Sequence, residues 1–132
     1  MDTDIQKTIR YWLDGAQNDM NAAEILFKGK QYAQSLFWCH LVLEKLLKAH
    51  IVKHSKTQAP FSHNLVLLSE NTGIDFSEEQ RVSLAEMNGF NLMGRYPDEM
   101  MFFTKKCTPQ FAKKYFSITQ NFFQWLTEIL SQ

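Results

Sequence analysis

Apolar residues in the first part of the chain recur in steps of three and four: Ile5, Ile9, Trp12, Leu13, Ala16, Met20, Ala23, Leu26 and Phe27. That spacing follows the turn of a helix and lines one of its faces, so it predicts a helix from about Asp4 to Lys28, with Gly29 as its stop. The next segment, about Tyr32 to His54, is apolar around most of its circumference through Ala33, Leu36, Phe37, Leu41, Val42, Leu43, Leu46, Leu47 and Ile51. A helix of that kind belongs at the centre of a bundle. Ser55–Ser62, with Pro60, reads as a loop. A short helix follows over about His63 to Asn71, closed by Gly73. Ser77 and Gln80 have the spacing of a capping box and open a fourth helix that ends near Asn91. Thr108 and Pro109 start the last helix, whose buried stripe is Phe111, Tyr115, Ile118, Phe122, Leu126 and Ile129. No segment alternates apolar and polar positions as a half-buried strand does. The expectation is an all-α fold: an antiparallel four-helix bundle with an additional short helix, forming one domain over residues 1–132.

Composition supports a packed core, since 45% of residues are hydrophobic and 11 are Phe. The formal net charge is zero, which argues against a non-specific nucleic-acid coat. The charges are nevertheless grouped. Lys45, Lys48, Lys53 and Lys56 form one block without acids, and Lys105, Lys106, Lys113 and Lys114 form another. Acids dominate between Glu70 and Glu99. Such polarity can steer an anionic ligand or a partner, although clumped charges also occur on ordinary solvated faces. Cys39 and Cys107 do not make a disulfide framework, and Cys39 reads as a small core residue. With no signal-like start and no span of roughly 18 apolar residues, the expected location is the cytoplasm, away from membranes.

Polar residues inside the central helix need an explanation. His40 and Glu44 are four apart, as are Glu44 and Lys48, so they share a face. Together with Lys45 they either line a polar groove that holds a phosphate or base, or form a buried ion pair beside a core histidine. His50 and His54 have a metal-compatible spacing but no third ligand, so no metal site is assigned. His63 is either a site residue or a local cap. Neither cysteine is tied to a histidine, and no Gly-rich phosphate loop is present, so no catalytic residue and no cofactor are assigned. The segment Asn91–Asp98 is the densest polar cluster outside the helical periodicity. In it Arg95 offers a planar fork for phosphate or carboxylate, Tyr96 can stack on a base or close a core, and Asp98 can orient Arg95 or cap a following turn; the plainer alternative is a rigid linker tied by an Arg–Asp pair. Met100–Phe103 is an apolar run that serves as core if buried and as a partner surface if exposed.

Four segments in order resemble the HEPN family, the higher eukaryotes and prokaryotes nucleotide-binding domain. They are WLDGAQNDMNAAEILF, FWCHLVLEKLLKAHIV with Glu44, Lys45, Lys48 and Ala49, SHNL with His63 and Leu65, and NLMGRYPDE, which is similar to an RYPD-bearing branch. The resemblance implies an antiparallel helical bundle, often dimeric, and a partnership with a small nucleotidyltransferase in a toxin–antitoxin-like pair. Some branches are metal-independent ribonucleases that use an Arg and a following His with four to six residues between them. Here Met100, Met101 and Phe102 occupy those positions, and none shuttles a proton. The family's usual Gln of the second helix is replaced by His40.

The resulting expectation is a non-catalytic homodimeric module that binds a nucleotide or a small nucleotidyltransferase, with RNA as a further candidate. Its ligand-binding set is Arg95, Tyr96, Asp98, Lys45, Lys48, His40, Glu44, His63 and Asn91. The alternative is a divergent ribonuclease that pairs Arg95 with His40 or His63.

Overall fold

The computed structural model describes residues 3–131. Six α-helices follow in order: α1 (Thr3–Lys28), α2 (Tyr32–Ser55), α3 (Leu65–Glu70), α4 (Glu78–Met87), α5 (Pro97–Lys106) and α6 (Pro109–Leu130). A 3-10 turn, Asn88–Phe90, extends α4. No strand occurs among the described residues.

Helix α2 is the axis of the bundle and buries 15 of its 24 residues. Helix α1 packs along it in antiparallel fashion, with Ala16 and Ala23 fully buried where the backbones approach. Contacts between His50 and Leu126, and between Lys53 and Leu130, show that α6 runs parallel to α2. The returning leg between them is α4, since Phe76 packs on Phe122 and Trp125 while Phe90 packs on Phe111 and Tyr115. The third leg of the expected antiparallel bundle is therefore broken into short helices, and α5 closes the end where α6 begins.

The helix starts agree with the capping signals. Ser77 Oγ accepts from the Gln80 amide at 3.1 Å, and Gln80 Oε1 accepts from the Ser77 amide at 2.8 Å. Thr108 Oγ1 accepts from the Phe111 amide at 3.1 Å, and Pro109 occupies the first turn.

Three local expectations are corrected. The first helix ends in a Schellman turn, with Gln31 N–H on the Leu26 carbonyl and Lys30 N–H on that of Phe27. The left-handed residue of that turn is Lys30 (φ 62°), not Gly29. The short helix starts later than His63, because Asn64 is its cap and accepts from the amides of Val66 and Leu67. Finally, Pro97 and Asp98 do not lie in a loop but in the first turn of α5.

Candidate functional site

Two polar clusters stand out. The first is built on α2, where four-residue steps put His40, Glu44 and Lys48 on one stripe. Glu44 is buried at 6% exposure, yet both its oxygens are engaged. Oε2 accepts from Lys48 Nζ at 3.0 Å, and Oε1 accepts from His63 Nδ1 at 2.9 Å. The Lys48 ammonium also lies 5.2 Å from the centre of the Trp12 ring, which supplies a cation–π contact. The whole charge is thereby compensated away from bulk water, as a buried ion pair requires.

His40 is fully buried behind this pair. Its Nε2 donates to the His63 carbonyl at 3.0 Å, so in the neutral ring Nδ1 carries the lone pair. That Nδ1 has no hydrogen-bond partner among the described residues and sits 3.9 Å from Glu44 Oε1. Burial pushes the His40 pKa below its ordinary 6.5, against a smaller upward pull from Glu44. His63 differs in exposure: its side chain is more than half open to solvent. Because Nδ1 is committed to Glu44, Nε2 is the ring atom left for a ligand.

Lys45 does not join this cluster. Its Nζ pairs with Asp19 Oδ2 at 2.6 Å, and its stem lies against Gly15, where an added Cβ would come within 3.1 Å of Cδ.

The second cluster surrounds Arg95, on the turn between the 3-10 segment and α5. Arg95 Nε donates to the Asn91 carbonyl at 3.1 Å, and Nη1 donates to Glu99 Oε2 at 3.0 Å. The carboxylate that orients Arg95 is therefore that of Glu99 rather than Asp98. Glu99 Oε1 also receives the Tyr96 amide at 3.3 Å and so caps α5. Asn91 contributes its backbone to Arg95 and its side chain to the Met93 amide. Tyr96 is largely exposed. Arg95 opens onto a hollow of about 480 Å³ lined by Gly89, Asp98, Glu99, Phe102, Phe103 and Lys106.

The nine candidate residues thus divide. His40, Glu44, Lys48 and His63 form one cluster; Arg95, Asn91, Tyr96 and Asp98 belong to another; Lys45 stands apart. Neither His40 nor His63 lines the Arg95 hollow. The segments that carry the two clusters meet at Asn88, whose Nδ2 donates to Asn64 Oδ1 at 3.1 Å, whose Oδ1 accepts from the Leu65 amide at 2.7 Å, and whose carbonyl accepts from the Asn91 amide at 3.4 Å.

Phe102 and Lys106 are absent from the expected set, yet both line the hollow. Of the apolar run, only Phe103 is buried, while Met100, Met101 and Phe102 are exposed. The overlooked signal is that of a helix: Pro97 at its start, Asp98 and Glu99 in the first turn, Lys105 and Lys106 in the last. No group of three or more His, Cys, Asp or Glu suited to a metal ion occurs among the described residues. None of the described helices is long and apolar enough to cross a membrane.

Comparison with known proteins agrees with this architecture. The family model described as the HEPN domain matches residues 9–130. The crystal structure of TT1696 from Thermus thermophilus is similar in fold, with a TM-score of 0.76 at 19% identity. The match covers 91% of this chain and 96% of that one. No curated protein matches the chain.

Proposed function

Because the chain belongs to the HEPN domain family, we propose that it is a nucleotide-binding module of the RYPD-bearing branch, with its ligand at the Arg95 hollow. The observation that carries this reading is a solvent-open aromatic ring in one hollow with two cations: Phe102 is 74% exposed and shares the hollow with Arg95 and Lys106. A ring of that kind stacks a base whatever its identity, and guanidinium and ammonium groups hold phosphate. Arg95 keeps donors for this purpose, because Asn91 and Glu99 occupy only two of its five N–H groups. In this reading the chain acts as a homodimer, and its protein partner is a small nucleotidyltransferase in a toxin–antitoxin-like pair. Titration with nucleoside triphosphates tests the ligand. Wild type is expected to bind, and Arg95→Ala and Phe102→Ala are each expected to weaken binding at least about tenfold, as loss of a phosphate fork or a stacked ring does. No binding by wild type rejects the nucleotide.

A second reading rests on the 2.9 Å contact between Glu44 and His63. A carboxylate that holds Nδ1 of an exposed imidazole is the orientation a general base needs, which favours a metal-independent ribonuclease that uses His63. RNA cleavage by wild type but not by His63→Ala supports it; intact RNA with both excludes it.

A further inference from the structure

Helices α4 and α6 leave a hollow of about 250 Å³ between them, away from the Arg95 turn. Its apolar lining is Ile118, Phe122 and Trp125, which share one face of α6. Phe76 meets Trp125 almost at right angles, at 81° with ring centroids 5.6 Å apart. A perpendicular neighbour fixes the indole and occupies at most one of its faces. Trp125 itself is half-buried.

The polar lining has hydrogen-bonding capacity to spare. Glu79 and Ser83 come from α4, four residues apart, and Asn121 comes from α6. None of these three side chains has a hydrogen bond or ion pair among the described residues. Gln80 also lines the hollow, but its Oε1 is committed to the Ser77 amide, which leaves it only a donor. The acceptors on offer are therefore a carboxylate, a hydroxyl and an amide oxygen. No lysine, arginine or histidine lines the hollow. The segment that carries it has the same sign of charge: Asp75, Glu78, Glu79 and Glu86 are exposed, against Arg81 as the one cation from Asp75 to Glu86. Arg81 Nη1 is already bound to the Phe76 carbonyl at 2.7 Å.

We infer that this hollow receives the guanidinium of an arginine side chain presented by a partner protein. Of the common cations, guanidinium alone uses every part of the lining. Its planar fork donates two N–H groups to a carboxylate, its face stacks on an indole, and its remaining N–H groups suit Ser83 and Asn121. An ammonium is a strongly hydrated point charge without that fork or flat face. The size selects the source. Sites that enclose a whole small molecule measure about 300–1,000 Å³. This hollow is smaller, as befits one side chain whose owner is held by further contacts. The exposed acids of α4 supply those contacts, together with Val82, which is 51% exposed beside Ser83. The partner segment is accordingly basic on either side of its arginine. The chemistry is opposite in sign to that of the Arg95 hollow, so the inference stands or falls independently of the nucleotide.

The test is an NMR titration of the isotope-labelled full chain, read at the indole N–H of Trp125, whose signal is assigned by its loss in Trp125→Phe. The probes are a blocked pentapeptide with one arginine between two pairs of lysines, the same peptide with lysine at its centre, and agmatine, a guanidinium on a bare alkyl chain. The arginine peptide is expected to shift the Trp125 signal with a dissociation constant of about 1 mM or below. The all-lysine peptide is expected to bind at least about threefold more weakly, and agmatine more weakly than the arginine peptide because it lacks the flanking charges. Glu79→Gln changes an exposed side chain and is expected to weaken the arginine peptide about fivefold or more, with an unchanged helical circular dichroism spectrum. Asn121→Ala is expected to give a smaller loss in the same direction. A Trp125 signal that stays in place at about 10 mM arginine peptide overturns the site. Equal binding of the two peptides reduces the hollow to part of a general acidic surface and overturns the guanidinium. Agmatine binding as tightly as the arginine peptide makes the ligand a free small cation and overturns the partner protein. Undiminished affinity in Glu79→Gln overturns the hollow as the place of binding.

Discussion

Glu44 Oε1 meets His63 Nδ1 at 2.9 Å, which ties the middle of α2 to the turn before α3, 19 positions further along the chain. The two partners differ in burial, and that difference decides what each is worth. Glu44→Ala leaves the Lys48 ammonium, only 5% exposed, without its carboxylate. Breaking a buried pair from one side costs about 3–5 kcal/mol, and that is the expected loss in urea unfolding. His63→Ala removes an exposed partner and is expected to cost about 1 kcal/mol or less. Equal losses in the two variants exclude this account.

Acid sensitivity follows from two other histidines. Burial is the first cause that holds both His40 and His50 below the ordinary 6.5. His50 sits at 4% exposure, with Nε2 donating to the Leu126 carbonyl at 2.8 Å. The unfolded chain takes up these protons near 6.5, while the folded chain resists until lower pH. Their contribution to stability is therefore complete above the unfolded value and is lost as pH falls from there through the folded values. Each ring adds a slope of at most about 1.4 kcal/mol per pH unit. Urea midpoints are expected to be flat from about pH 8 to 7 and to drop between about pH 6.5 and 5. A His50→Gln variant flattens the drop. A wild-type midpoint that stays level to pH 5 shows that the rings charge without cost.

Left-handed backbone positions separate by what surrounds them. Lys30 (φ 62°) bears a steric cost that glycine does not, so Lys30→Gly is expected to stabilise by about 0.5 kcal/mol once the freer unfolded chain is counted. Gly94 (φ 73°) has open space around it, and Gly94→Ala is expected to cost about 1 kcal/mol from backbone strain alone. At Gly73 (φ 75°) a Cβ also lands 2.5 Å from His54 Nδ1, so the exposed imidazole must move and Gly73→Ala is expected to cost more than Gly94→Ala. The reverse order of the two alanine variants in thermal unfolding contradicts this.

How much of this was legible in the chain depended on the range of the interaction. The starts of α4 and α6 were readable because Ser77 with Gln80, and Thr108 with Pro109, act within one turn. Helix α5 was not, because its periodicity is inverted: the bulky Met101 and Phe102 face out, and only Phe103 anchors the helix inward. The stripe of His40, Glu44 and Lys48 was visible as spacing, but the partner that fixes Glu44 was not. His63 reaches it through the return of a loop, and no local pattern encodes where a loop returns. Arg95 was identified by residue type, yet its carboxylate is Glu99, four residues on, because α5 begins at Pro97 and brings the i+4 side chain back to Arg95.

Arg95 has two tasks, and a lysine can perform only part of them. Its Nε holds the Asn91 carbonyl while Nη1 holds Glu99, so the planar fork braces the turn as well as facing the hollow. Arg95→Lys retains the charge but cannot span both acceptors. The side chain is about one-third exposed and the pair is at the surface, so global stability is expected to stay within about 0.5 kcal/mol of wild type. Amide exchange should instead rise locally, at Met93, Arg95 and Tyr96, because the turn loses its brace. Triphosphate affinity is expected to fall between that of wild type and that of Arg95→Ala. If Arg95→Lys binds as wild type does while exchange rises, charge alone serves the ligand and the fork serves only the turn; if it binds no better than Arg95→Ala, the fork itself contacts phosphate.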